Sequence, residues 1–240
     1  MTAATFFVEK APAPGPFTLR GPEGRHAVTV KRIGSGEKVM LADGHGCRSH
    51  ATVTAAEGKD LLHVTVTSRE EVPLPTPKVT VIQALPKSDR QELTVDLLTQ
   101  GGADRIVPWE AERCIAKWQP KKAKKWENAA VAAAKQSRRA RLPLIMKPNA
   151  LDEAFAEADL VLVLHEEASV PLATVDVSTA QHIALIIGPE GGVSPAEVER
   201  FRQAGAKPVL LGPEVLRTAT AGFAALSAIG VKTSRWLVES

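Results

Sequence analysis

A chain of 240 residues, 44% hydrophobic and 24% charged, has the length for one large or two small domains and the ordinary composition of a soluble globular protein. No apolar run approaches about 18 residues, which excludes a membrane-spanning helix, and two isolated cysteines, Cys47 and Cys114, argue against a disulfide framework or a zinc site. The net charge is only +3, yet ten Lys/Arg and one acid, Glu127, fall between Lys117 and Lys147, while eight acids and no Lys or Arg fall between Pro148 and Glu190; one local surface is therefore positive and suits a polyanion, unless it is simply a solvated helix face. The opening MTAATFFVEK lacks a basic segment followed by a long apolar stretch, so no secretory signal is expected. The expected setting is a reducing cytoplasm, with no membrane contact and no metal.

Residues 1–70 predict short strands at 5–8, 26–30, 37–43, 48–54 and 61–67, separated by glycine turns, and hence a small closed or half-closed β-barrel. The proline-rich segment 71–77 reads as a linker. From Lys78 the pattern changes to alternating strand and helix. KVTVIQAL (78–85) is a buried strand. Ser88 with Gln91 has the spacing of a capping box, opening a helix that ends near Gln100 before Gly101-Gly102. Residues 104–109 and 113–118 read as extended, 121–140 as a basic, Ala-rich helix and 150–157 as a short helix. The apolar strands LVLVLH (160–165), HIALII (182–187) and KPVLL (207–211) follow. Ser194, Pro195 and Glu197 mark a capped helix between the last two, and 218–235 forms the final helix. The alternation implies an α/β domain with a mostly parallel sheet, preceded by a small β domain.

Two Gly-Pro turns, at Gly188 and Gly212, each close an apolar strand and precede a helix start. Loops of this kind at adjacent strand ends make a pocket with exposed backbone groups, suited to a nucleotide-like cofactor, although GPEGG alone could be a plain strand-to-helix turn. There is no GxGxxG and no P-loop pattern, which disfavours classical dinucleotide or triphosphate binding.

GPEGG-V-S-P-x-E followed by LG-P-x-V-LRT-x-TA resembles the C-terminal signature of the RsmE family, SPOUT-superfamily methyltransferases that act on N3 of one uridine in 16S ribosomal RNA. The likeness extends to HAVTVKRIGSGEKVMLADGHG (26–46), LPKSDRQELTVDLL (85–98), ERC (112–114) and KQSRRARLP (135–143), and so covers essentially the whole chain. It implies an N-terminal PUA-like barrel over 1–70, a SPOUT domain with a deep trefoil knot over 78–240, and a homodimer. It also implies S-adenosylmethionine (SAM) bound by Leu164, His165 and Glu166, by Ile187, Gly188, Pro189, Gly191 and Gly192, and by Leu211, Gly212, Leu216 and Thr218. The chain departs from the common family pattern at Gln100, at Ala219, where a Glu is usual, and at Lys135 to Arg139, where the change adds positive charge.

Methylation of a uracil nitrogen requires loss of the N3 proton, and so positive charge near the uracil oxygens or a base near N3. Arg217 is the candidate for stabilising the developing anion, against a purely structural ion pair. Glu190 is the candidate base or orienting acceptor, against a loop-holding role. His165 stands at a strand end as a cofactor-lining or structural group, and the other histidines lack metal spacing. Cys114, with Arg113 and Lys117 nearby to lower its pKa, could be a nucleophile, but N-methylation needs no cysteine adduct and it reads as a small buried apolar residue. The candidate RNA ligands are Arg20, Arg25, Lys31 and Arg32 in the β domain, Lys87 and Arg90 at the sheet edge, Lys121, Lys122, Lys124 and Lys125, and Arg138, Arg139 and Arg141. With no Tyr and 4% aromatics, phosphate contact and shape are expected to dominate, on 16S ribosomal RNA within the small subunit. Another RNA substrate, tRNA or 23S, and a non-catalytic RNA-binding assembly factor are the alternatives.

Overall fold

The computed structural model describes residues 3–237, which divide into two compact units. The first comprises residues up to Leu74 together with Ala134–Leu142, and the second Pro75–Ala133 with Pro143 onward.

The first unit is built on strands β1 (Ala4–Phe7), β2 (Gly15–Leu19), β3 (Lys38–Ala42), β4 (Cys47–Glu57) and β5 (Leu61–Glu71), in the order β1-β3-β4-β5-β2. Only β1 and β3 run parallel. Alternation along β4 and β5 turns Ala51, Val53, Leu62, Val64 and Val66 inward onto Phe6 and Leu41. Strand β2 is absent from the sequence expectation because prolines at 12, 14 and 16 argue against a strand; as an edge strand it tolerates Pro16.

The expected strand at 26–30 is instead helical. Helix α1 (Gly21–Arg25), with Pro22 in its first turn, continues into one π-helical stretch, His26–Val30. Gly24 permits this, since a Cβ there would collide with the Asp60 and Leu19 carbonyls. Ala27 is buried, and the His26 ring meets Phe6 edge-on at 6.0 Å. Tertiary packing thus overrides the β-branched pattern of HAVTV.

Residues 134–142 join this unit through backbone bonds from Gly46 N–H to Ala140 O (3.1 Å) and from Leu142 N–H to Gly44 O (2.9 Å). Lys135 Nζ pairs with Glu23 at 2.5 Å.

The second unit holds a six-stranded sheet in which every pairing is parallel: β6 (Lys78–Ala84), β7 (Arg105–Trp109), β8 (Leu144–Ile145), β9 (Leu160–Leu164), β10 (His182–Ile187) and β11 (Lys207–Val209), in the order β11-β9-β10-β6-β7-β8. The central pair, β10 and β6, is almost wholly buried, as continuous apolar strands covered on both faces should be. Helices α2 (Gln91–Gln100), α3 (Pro120–Ser137), α4 (Leu151–Glu157), α5 (Pro195–Gln203) and α6 (Thr218–Lys232) complete the unit, α3 passing into the first unit at its C-terminal end. Small residues bring α2 and α6 together: a Cβ on Gly222 would meet Leu98 at 2.5 Å, and one on Gly101 would meet Leu226 and Phe223 at 3.1 Å.

Of the two predicted capping boxes, only one forms. In α5 the Ser194 hydroxyl accepts from Glu197 N–H and Glu197 accepts from Ser194 N–H (3.2 and 3.0 Å). At Ser88 the chain makes a 3₁₀ turn instead, α2 begins at Gln91, and the buried Gln91 amide donates to Pro86 O at 3.1 Å. Residues 113–118, expected as extended, join no strand; the Cys114 N–H closes a turn on Ala111 O.

The chain after α6 is fastened under the sheet. Arg235 donates to Asp104 Oδ2 at 2.8 Å and to the carbonyls of Pro77 and Gly102, while Asp104 also accepts from Val79 N–H. Both side chains are nearly buried. Removing one member of such a pair strands the other, at a cost of about 3–5 kcal/mol. Arg235→Met is expected to lower the unfolding free energy by about 3 kcal/mol, read as a shift of the urea midpoint of the full chain.

Candidate active site

The C-terminal ends of β9, β10 and β11 lie side by side, where parallel α/β sheets bind ligands. The loops that leave them enclose a cleft of about 430 Å³, within the range of small-molecule sites. Leu164, His165, Glu166 and Glu167 come from the first loop; Ile187, Gly188, Pro189, Glu190, Gly192 and Val193 from the second; Leu210 to Thr218 from the third. The first loop is held to its neighbour strand by His165 N–H bonding Val209 O (3.0 Å), and His165 Nδ1 accepts from Glu167 N–H (3.3 Å). His165 is therefore both a wall of the cleft and a brace for its loop.

Of the residues expected to hold a cofactor, the cleft gathers all but Gly191. The Gly191 carbonyl instead accepts from Arg113 Nη1 at 2.9 Å, and a Cβ at 191 would press on Arg113 Cβ at 3.2 Å. Gly188 lets the loop fold back on itself, since a Cβ there would come within 2.8 Å of Val193 Cγ2; Gly192 takes a φ of +74°.

Glu190 is also on the cleft, but its Oε1 accepts the backbone N–H of Lys87 at 3.2 Å, tying the second loop to the β6–α2 connection. This is the orienting and loop-holding geometry among the alternatives. Arg217 is exposed, lines the cleft and has no ion-pair partner among the described residues. It is the N-cap of α6, its carbonyl accepting from Thr220 and Ala221 N–H at 2.8 and 2.9 Å.

Pro213, Glu214 and Val215 line the cleft within the expected loop from Leu211 to Thr218, whereas Arg113, Glu167, Val193 and Leu210 line it without having been singled out by the sequence as ligands. The one signal for Arg113 is its place in the ERC motif. The cleft thus combines apolar walls (Leu164, Ile187, Leu211), carboxylates (Glu166, Glu167, Glu214) and guanidinium groups (Arg113, Arg217). That donor set fits a ligand with an aromatic base and charges of both signs, as SAM has.

Cys114 is 8% exposed, and burial pushes its thiol pKa up, with the carboxylates of Glu190 and Glu197 adding to the rise against backbone hydrogen bonds. The expected lowering by Arg113 does not arise, because that guanidinium is turned to Gly191. Glu197 is buried with both oxygens used, Oε1 by Glu112 N–H (2.7 Å) and Oε2 by Ser194 N–H.

The candidate RNA ligands fall in several groups. Arg20, Arg25, Lys31 and Arg32 are exposed along the helical stretch that begins at α1. Lys87 and Arg90 flank the turn before α2, Arg90 lying 4.0 Å from Asp89. Lys121, Lys122, Lys124 and Lys125 occupy the first two turns of α3. Arg138 is exposed with a φ of 57°, and Arg139 is half-buried. Arg141 departs from the expectation. Its guanidinium is packed against Gly46 and bonded to the carbonyls of His45 and Val72, so it holds the first unit together rather than offering a free charge. No cluster of metal-ligating side chains occurs among the described residues, and none of their helices is long and apolar enough to cross a membrane.

Comparison with known proteins bears on this cleft directly. Residues 72–230 match the model of an RNA methyltransferase domain, and residues 19–67 that of an RNA methyltransferase PUA domain. The chain is 43% identical to ribosomal RNA small subunit methyltransferase E of Mycobacterium bovis, over 98% of this chain and 94% of that protein. It is 32% identical to the protein of the same name in Bacillus subtilis, over 94% and 93%. Among solved structures, a methyltransferase of Legionella pneumophila in complex with SAM superposes with a TM-score of 0.83 at 32% identity, covering 97% of this chain and 99% of that one. A SAM-bound ribosomal RNA small subunit methyltransferase E of Neisseria gonorrhoeae gives 0.82 at 26%, covering 96% and 98%.

The buried, raised thiol gives a direct check. In the native protein at pH 8, iodoacetamide is expected to label half-buried Cys47 while Cys114 stays unmodified, and Cys114 to become reactive only on unfolding, as read by peptide mass spectrometry.

Proposed function

The chain belongs to the RsmE family of RNA methyltransferases, and on that premise we propose that it methylates N3 of one uridine in the 16S RNA of the small ribosomal subunit, using SAM. It is a SAM-dependent ribosomal RNA methyltransferase. The observation that carries the finer reading is the meeting of three strand-end loops in one cleft, with an exposed, unpaired guanidinium at its edge.

When bound, SAM supplies a methyl group on a sulfonium, whose C–S bond electrons return to sulfur as the methyl leaves. The chain's own residues do the rest. The glycine loops at 188–192 and the 210–217 loop hold the cofactor and exclude water from it. The Arg217 guanidinium faces the charge that develops on the uracil oxygens as N3 loses its proton. Glu190, anchored on Lys87 N–H, keeps the second loop in register with the β6–α2 turn, and the N3 proton passes to solvent or to this carboxylate. Holding both reactants in line contributes up to about 7–11 kcal/mol of the barrier reduction.

The same reading includes the trefoil knot, the PUA-like barrel, a homodimer and a cytoplasmic setting. The strand order, with β11 outside β9 and the loops after β10 and β11 sharing one cleft, supports the knot. The exposed apolar side chains of Leu93, Val231 and Trp236 support a self-association surface.

The test is methyl transfer from labelled SAM to small subunits lacking their own uridine N3 methylation, with tRNA and large subunits in parallel. A single 3-methyluridine in 16S RNA is the expected product, and label confined to another RNA would overturn the substrate. Arg217→Ala is expected to lower kcat by about 100-fold, as loss of one anion-stabilising donor does, with the SAM Kd within a few-fold of wild type by calorimetry; near-normal turnover would remove Arg217 from the mechanism.

A further inference from the structure

A second cavity, of about 470 Å³, lies in the same unit and shares none of its lining with the first. Its walls come from the start of α2, the segment 115–119 and the start of α3. Three features of it call for an anion. First, Lys117, Lys121, Lys122 and Lys125 all line it, and Lys117, Lys121 and Lys125 have no ion-pair partner among the described residues. Second, the first turn of α3 contains no acid. The positive end of a helix dipole favours carboxylates, so lysines gathered there repel both one another and the dipole until an anion is present. Third, Trp126 is fully buried on this wall, edge-on to Trp118 at 5.3 Å, and its indole N–H has no acceptor in the protein. A buried donor without a partner is costly, and an anionic oxygen would satisfy it. Glu92 is the one carboxylate among the lining residues; Lys122 is partly occupied, donating to Lys117 O at 2.5 Å.

We propose that this cavity is a phosphate subsite for the RNA substrate, in which Lys117, Lys121 and Lys125 grip a backbone phosphate at the α3 N-terminus and Trp126 Nε1–H donates to one of its oxygens. The inference rests on the reading that the chain acts on RNA. Lysine ammonium groups recognise phosphate as point charges without reading sequence, so the subsite positions the strand and leaves base choice to the catalytic cleft. Ile115, 81% exposed at the rim, offers an apolar surface to an adjoining ribose or base. The segment that carries Ile115 and Lys117 also carries Arg113, which lines the first cleft, so a phosphate gripped by Lys117 would be linked to the cofactor loop through the three residues between Arg113 and Lys117 and the Arg113–Gly191 bond.

The experiment uses the full chain, 16S RNA and three proteins: wild type, the triple variant Lys117→Gln, Lys121→Gln, Lys125→Gln, and Trp126→Phe. RNA affinity is measured across a salt series, and SAM affinity by calorimetry reports an intact fold. The triple variant is expected to bind RNA at least about 10-fold more weakly and to lose about 0.7–0.9 from the log–log salt slope, the contribution of one phosphate contact. Trp126→Phe removes a neutral donor, so it weakens binding a few-fold at unchanged slope. The exposed lysines keep the test valid should the buried Trp126 variant fail to fold. A triple variant with wild-type affinity and slope, still binding SAM, overturns the proposal. Direct binding of inorganic phosphate that depends on these lysines and exceeds that of chloride at matched ionic strength, with RNA binding indifferent to the lysines, makes this a free-anion site and overturns the RNA assignment. Loss of slope in the triple variant of a protein whose wild type methylates no RNA would sustain the subsite while ending the proposed reaction.

Discussion

The parallel pairing of β10 on β6 is the constraint on which the rest of the second unit depends. Over His182–Ile187 and Lys78–Gln83 the two strands pair residue for residue, with nearly every side chain buried. A strand covered on both faces has no room for chemistry along its length, and its polar backbone groups are consumed by the ladder. Function is therefore displaced to where the strands end. Because β9, β10 and β11 all run the same way, their three exit loops converge, and the convergence makes a cleft that no single loop could form.

The cleft keeps its shape through bonds from outside its own loops. Arg113 holds the Gly191 carbonyl, Glu190 holds the Lys87 N–H, and Glu197 spans from the α5 cap to Glu112. Each joins a loop after β10 to a segment following β6 or β7. These are charge-assisted hydrogen bonds in fixed directions, stronger than neutral ones. They leave Arg217, at the head of α6, as the guanidinium of the third loop without such an engagement.

Two local features run against the usual preference at helix N-termini. Lysines crowd the positive end of α3, and Arg217, a cation, caps the N-terminus of α6. Carboxylates are the favoured residues at both places, as Glu197 in α5 illustrates. Sequences depart from local preference where a ligand supplies the missing counter-charge, and on the proposed reading an RNA would relieve both, through a phosphate at α3 and the developing anion at Arg217.

The sequence by itself determined the α/β alternation from Lys78 onward, the α5 capping box and the two glycine–proline loops, because each is written in short-range spacing that water and backbone geometry read directly. It misread HAVTV as a strand, since the contact that selects a helix there, Gly24 beneath the Asp60 carbonyl, joins residues far apart in the chain. It likewise assigned Arg141 to RNA and gave no ligand role to Arg113: an arginine's spacing shows its charge but not which carbonyl it will reach. Only the tertiary structure decided that Arg141 would be spent on His45 and Val72, that Arg113 would brace Gly191, and that Trp126 would be buried with its N–H unanswered beside the lysines of α3. The physical reason is common to all three. Hydrogen-bond partners for long side chains are fixed by the packing of distant segments, which no local pattern encodes.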